Sequence, residues 1–267
     1  MCPTRTRDIK MELFDRVKAI LLNPKEEWEV IEAENAPHTK VFIGYLLILA
    51  LIPAAALFFN YWWNWHSAIT EATQKVIDAA VDSKSLQDQL EDTLKTIKDN
   101  NPFNAVFGII DALTMFVTIV GGAYVSAAII NAFSDQFNVT KDFNRTFSLV
   151  AYSYTPLCIA GLLYAYPPLA SIAPYIGLYG LYLLYIGIKP LINPLAEKLT
   201  GYFIMALIVI LAAYIVIPKI VQPVSDDIRK NVLVEQAKEQ AKKNGTAIDI
   251  QKIQLDIERQ IRNGNYR

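Results

Sequence analysis

Charge is missing from long stretches of this chain. Residues 41–70, 112–134, 146–188 and 199–218 contain no Asp, Glu, Lys or Arg, although 19% of the 267 residues are charged. A run of about 20 apolar residues crosses the ~30 Å hydrocarbon layer of a bilayer. Soluble helices must show one face to water and seldom carry such runs. Cysteine is nearly absent too. Only Cys2 and Cys158 occur, and Cys158 falls inside an apolar run. That pattern excludes a disulfide framework and a cysteine metal site. His38 and His66 lie near opposite ends of the first run and cannot share a metal ion. The net charge of −1 carries no nucleic-acid signal. HExxH, GxSxG, P-loop and GxGxxG patterns are all missing. No catalytic residue, cofactor or metal is therefore expected. The first 40 residues are rich in charge and lack the apolar core of a cleavable signal, so the first span is read as an uncleaved insertion signal.

What is present reads as five spans. The first covers 41–59, holds Pro53, and leaves through an aromatic belt of Tyr61, Trp62, Trp63 and Trp65. The second lies within 103–133, the third at 147–165, the fourth at 169–188 and the fifth at 199–217. Pro167-Pro168 turns the third into the fourth, and Pro218 is expected to end the fifth. The fold class is all-α: a polytopic integral membrane protein with five transmembrane helices plus amphipathic helices outside the membrane. Three regions follow: cytoplasmic helices at 1–40, a transmembrane domain at 41–218 with an outer helical loop at 66–102, and a polar helical tail at 219–267. In that tail, Ser225 is expected to start a helix and Asn244-Gly245 to end it.

Basic residues orient the spans. Arg5, Arg7, Lys10, Arg16, Lys18, Lys25 and Lys40 precede span 1. Lys141 and Arg145 sit between the second and third, and Lys189 and Lys198 between the fourth and fifth. The positive-inside rule then puts the N-terminus in the cytoplasm and the tail outside. Lys219, Arg229 and Lys230 pull the other way, but the earlier loops set the path. The 66–102 loop has a net charge of −3 and the tail +3. Two arrangements suit them: an outer subdomain steered by opposite charge, or two independent solvated segments.

The stretch RVKAILLNPKEEWEVIEAE, 16–34, precedes span 1. Ile9, Leu13, Val17 and Ile20 form a helical stripe, which Phe14 and Leu21 widen, while Asp8, Glu12, Asp15 and Arg16 fall mostly opposite. Asn23 suits a cap and Pro24 the first helical position, with Glu26 completing the cap and Trp28 and Ile31 on one face. Two uses fit this corner. Phe14, Val17, Ile20, Pro24 and Trp28 could lie on the membrane surface or against a partner, or the stripe could pack on the protein's own spans.

Asp111 is the one acid within a predicted span and is a functional candidate on that ground. It also lies near the outer end of an overlong stretch, where the interface would tolerate it. Tyr152 and Tyr154, beside Ser153 and Thr155, could line a polar pocket or simply bond between helices. Thr118, Gly122 and Ser126 recur every fourth residue and read as a packing seam.

The opening pattern, with Arg16, Val17, Ile20, Leu21, Leu22, Asn23, Pro24, Glu27 and Trp28 followed by Glu34, resembles the start of bacterial members of the Yip domain family. AYSYTP at 151–156 and KPLINPLAEKLTGY at 189–202 continue the resemblance, which covers roughly residues 10 to 218. The family's name comes from Ypt/Rab-interacting proteins. The resemblance implies five spans, a cytoplasmic N-terminus and an outward C-terminus. It also implies a non-catalytic scaffold or adaptor in membrane organisation or trafficking. The DLYGP-type motif of eukaryotic members is missing, which puts a Rab partner in doubt. The expected setting is a bacterial inner membrane. The expected partners are the lipid bilayer, a membrane or soluble protein and, compatibly, further copies of the chain. The alternative function is a small-solute or ion transporter using Asp111 and the polar patch near Tyr154.

Overall fold

A computed structural model describes residues 13–61 and 103–243. The expected outer loop helices, Trp62, Trp63, Trp65, His66, Cys2, Ile9 and the tail from Asn244 onward lie outside the described residues. Among the described residues there is no strand. Two short helices, α1 (Leu13–Leu22) and α2 (Pro24–Glu34), come first. Among the described residues, five helices long and apolar enough to cross a membrane follow. Span 1 is His38–Tyr61, span 2 Val106–Phe137, span 3 Phe143–Ala165, span 4 Pro167–Ile192 and span 5 Ala196–Val232. The chain is an all-α polytopic membrane protein. Its contacts form two compact units, one of residues 1–56 and 119–214, the other of 57–118 and 215–267.

Span ends follow local chemistry. Asp142 caps span 3, its carboxylate accepting from the amides of Asn144 at 3.0 Å and Arg145 at 3.2 Å. Asn35, Asn138 and Asn193 close helical segments in the left-handed conformation, with φ of 40°, 57° and 49°. Asparagine tolerates that region better than most L-residues.

The fifth span corrects an expectation. Pro218 does not end it: the helix runs from Ala196 to Lys243 with Pro218 and Pro223 inside. Ser225 does not cap a new helix either, because its hydroxyl donates to the Gln222 carbonyl at 2.8 Å within the same one. A proline removes one bond from the ladder. Stopping would leave the last turn's carbonyls unsatisfied at the membrane's edge.

The AYSYTP stretch is built around a proline that is accommodated. Pro156 has no amide to offer the carbonyl of Tyr152, its partner one turn back. The Thr155 hydroxyl donates to that carbonyl at 2.6 Å instead. Tyr45 of span 1 then reaches the same threonine oxygen at 2.7 Å, so the phenol is the donor. A backbone defect in span 3 thus becomes a tie to span 1.

Spans 3 and 4 touch through glycine. A Cβ on Gly180 would stand 2.4 Å from the Ser153 carbonyl oxygen, a backbone atom that cannot step aside. Gly180→Ala is expected to cost about 1–3 kcal/mol through forced separation of the two helices. A melting temperature in detergent equal to that of the parent would refute this packing.

Candidate functional site

The first unit holds the densest polar constellation among the described residues, and it involves the opening stretch. Pro24 occupies the start of α2, as its missing donor suggests, but Asn23 makes no side-chain cap bond. The corner is made by the backbone instead. The Asn23 amide donates to Ala19 at 2.8 Å, and its carbonyl accepts from Glu27 at 3.1 Å. Helix α1 therefore runs almost directly into α2.

Arg16 is not on a solvated face. Its guanidinium is buried and bridges the Glu27 and Glu34 carboxylates across the corner. It also lies over the Tyr152 ring, 5.9 Å from the centroid. Burial works against its charge, yet the hydrogen bond to Glu34 and the negative surroundings raise its pKa above the ordinary value. Burial pushes the Glu27 carboxyl up, and the attraction of Arg16 only partly opposes this. One guanidinium here serves two carboxylates.

Trp28 is fully enclosed by protein rather than set at the headgroups. It meets Tyr152 edge to face at 6.1 Å. A Cβ on Gly187 would stand 2.6 Å from the indole, so only glycine leaves it room. Ile20 is also fully buried, Val17 and Pro24 are half-buried, and Phe14 is 75% exposed. The buried stripe packs on spans 3 and 4. Two further ties lie beside it. Arg145 reaches Glu32 at 3.3 Å and the Leu191 carbonyl at 3.2 Å. The Asn144 side-chain oxygen bonds the His38 amide at 2.8 Å and lies 2.9 Å from its ring Nδ1.

Tyr152 and Tyr154 part company. Tyr152 belongs to the Arg16–Trp28 cluster, with Tyr45 at a ring distance of 4.5 Å. Tyr154 and Ser153 line a cleft whose other walls include Leu157, Leu181, Leu184 and Leu211. No acid lines it, so its chemistry is apolar. In the small-residue stripe, Ser126 and Gly122 are buried and Thr118 is half-buried. A Cβ on Gly122 would lie 3.8 Å from the Tyr154 hydroxyl, ordinary contact, so this position is a seam without being a tight one.

Asp111 belongs to the second unit. Its carboxylate is paired with the Arg229 guanidinium, which also lies 3.9 Å from Asp226. Arg229 had no part in the sequence reading of Asp111, because the helix was expected to stop before it. Cys158 is a buried free thiol. No group of three or more His, Cys, Asp or Glu could hold a metal ion among the described residues.

Sequence reasoning missed the Arg16–Glu27–Glu34 cluster by sorting Arg16 with its polar neighbours. The signal was in the opening pattern itself, which pairs that arginine with both glutamates. No curated protein and no solved structure matches the chain. A model of the Yip1 domain matches residues 18–217, from within α1 through the apolar part of span 5. The chain therefore belongs to the Yip1 domain family.

Proposed function

We propose that this protein is a scaffold or adaptor in membrane organisation. Its family supports a membrane-associated, non-catalytic role in general. The observation that carries the finer reading is the engagement of Asp111, the one acid predicted within a span, by Arg229. A neutralised carboxylate is poorly suited to binding a cation. We place the N-terminus in the cytoplasm of a bacterial cell and the tail outside. The Asp111–Arg229 pair supports having the tail with the outer end of span 2, since Asp111 lies near the start of that span and Arg229 near the end of span 5.

Asp111→Asn tests the choice between scaffold and transporter. The guanidinium is largely buried and the carboxylate about a third exposed, so loss of the pair is expected to cost about 1–3 kcal/mol, less than a variant in the buried Arg16 cluster. A scaffold keeps its cellular phenotype in this variant. A solute-dependent phenotype that vanishes would establish the transporter reading instead. A reporter fused after Arg267, active on one side of the membrane only, checks the tail. Activity in the cytoplasm would refute the proposed orientation.

A further inference from the structure

The depth of the α1–α2 hairpin follows from the spans it touches, all within the first unit. Residues 146–188 carry no charge and turn at Pro167-Pro168. Each arm therefore has about 20 residues, ~30 Å of helix, the thickness of the hydrocarbon. Arg145 and Lys189 mark where it begins on the N-terminal side.

Against this ruler, α2 starts deep, at the corner, and rises to end at the surface. Glu32, near its end, meets Arg145 at 3.3 Å. Trp28 lies against Gly187 and Tyr152. At the corner, the Tyr179 hydroxyl donates to the Leu21 carbonyl at 3.0 Å. Tyr179 precedes Lys189 by about ten residues, or ~15 Å along the helix, which is the level of the bilayer centre. Helical side chains lean toward their own N-terminus. In span 4 that direction points away from Lys189, so the phenol does not reach up to the hairpin. Helix α1 then returns, bringing Arg16 back to Glu34.

The outer face of this hairpin is polar. Asp15 and Lys18 on α1, and Lys25, Glu26 and Glu29 on α2, are all exposed. Hydrocarbon expels such charges. A lysine stem can carry its ammonium some way toward the interface, but the Glu26 side chain, close to the tip, is too short to do so.

We propose that α1 and α2 form a re-entrant hairpin in the N-terminal-side half of the bilayer, and that its charged outer face draws water and phospholipid headgroups down beside it, thinning the membrane locally. The partner of this surface is the lipid leaflet itself. Leu22, 66% exposed at the tip, meets the acyl chains below. This inference does not depend on the scaffold reading, though a protein that deforms its own leaflet has a direct means of organising a membrane.

The test uses the full chain in phosphatidylcholine–phosphatidylglycerol vesicles, with Cys2→Ser and buried Cys158 retained. Spin labels go on Glu26→Cys, on Glu197→Cys as an interfacial reference, and on Leu211→Cys as a hydrocarbon reference. Relaxation is read with a water-soluble nickel chelate and with oxygen. Glu26→Cys is expected to match Glu197→Cys, with nickel access far above that of Leu211→Cys. Pulsed distance measurements pair Glu26→Cys with Leu178→Cys and with Lys189→Cys. The Leu178 distance is expected to be the shorter. Nickel-inaccessible labels at Glu26 would overturn the proposal, because lipid tails or another copy would then cover that face. Nickel access combined with a shorter distance to Lys189 would also overturn it, because the hairpin would then lie outside the bilayer.

Discussion

Arg16→Met is expected to destabilise the protein by about 3–5 kcal/mol, the usual range for breaking a buried ion pair from one side. The substitution keeps much of the side chain's volume and removes its charge. Glu27 and Glu34 would then face each other inside the protein without their shared cation. Glu27, already pushed toward its neutral form by burial, would respond by taking up a proton at a higher pH. Thermal unfolding in detergent measures the loss. The triple variant Arg16→Met, Glu27→Gln, Glu34→Gln should recover a large part of it, because the charges to be buried have gone. A single variant as stable as the parent would show that the cluster contributes little. A triple variant no better than the single one would show that Arg16 acts through its packing on Tyr152.

Trp28→Ala carries the second large effect, about 3–5 kcal/mol from lost contacts and the cavity left behind. The indole is fully buried in a slot that Gly187 keeps open. Its ring nitrogen has no hydrogen-bond partner. Nearly all of its contribution is therefore packing, and Trp28→Phe should lose much less than Trp28→Ala. The alanine variant should also free the hairpin from spans 3 and 4. Trypsin would then cut at Lys18 and Lys25 in folded protein that resists it in the parent. Parent-like melting and parent-like cleavage would together contradict a core role for this residue. Parent-like melting with rapid cleavage would mean that the spans hold together without the hairpin.

The spans were legible because the membrane imposes a one-dimensional rule. Hydrocarbon excludes charge whatever the neighbouring helices do, so uncharged runs at 146–188 and 199–218 mark crossings by length alone. Glycine and proline were legible as punctuation but not in their consequences. Pro167 follows the end of span 3, as expected, and itself opens the next helical segment, two residues before the expected start at Leu169. Pro218 does not stop span 5, because the surrounding ladder outweighs one missing bond. Pro156 was visible within span 3 as a residue without an amide donor. That Thr155 and Tyr45 would repair the gap depends on a residue more than a hundred positions away.

Charged residues divide most clearly between the two levels. The amphipathic stripe of α1 could be counted along the chain, yet the count placed Arg16 on the wet side. Helical periodicity assigns a residue to a face, but it does not say what that face meets. Arg16 is buried because Glu27 and Glu34 converge on it after a turn at Asn23, and partners across a turn have no periodic signature. Asp111 is the same case in the second unit. Its position in the chain made it a candidate for chemistry, and Arg229 makes it half of an ion pair. Class, span number and the apolar character of this protein follow from solvent exclusion, which acts on each residue separately. The burial of Arg16, the slot for Trp28 and the use of Asp111 follow from pair interactions, whose members meet only once the chain has folded.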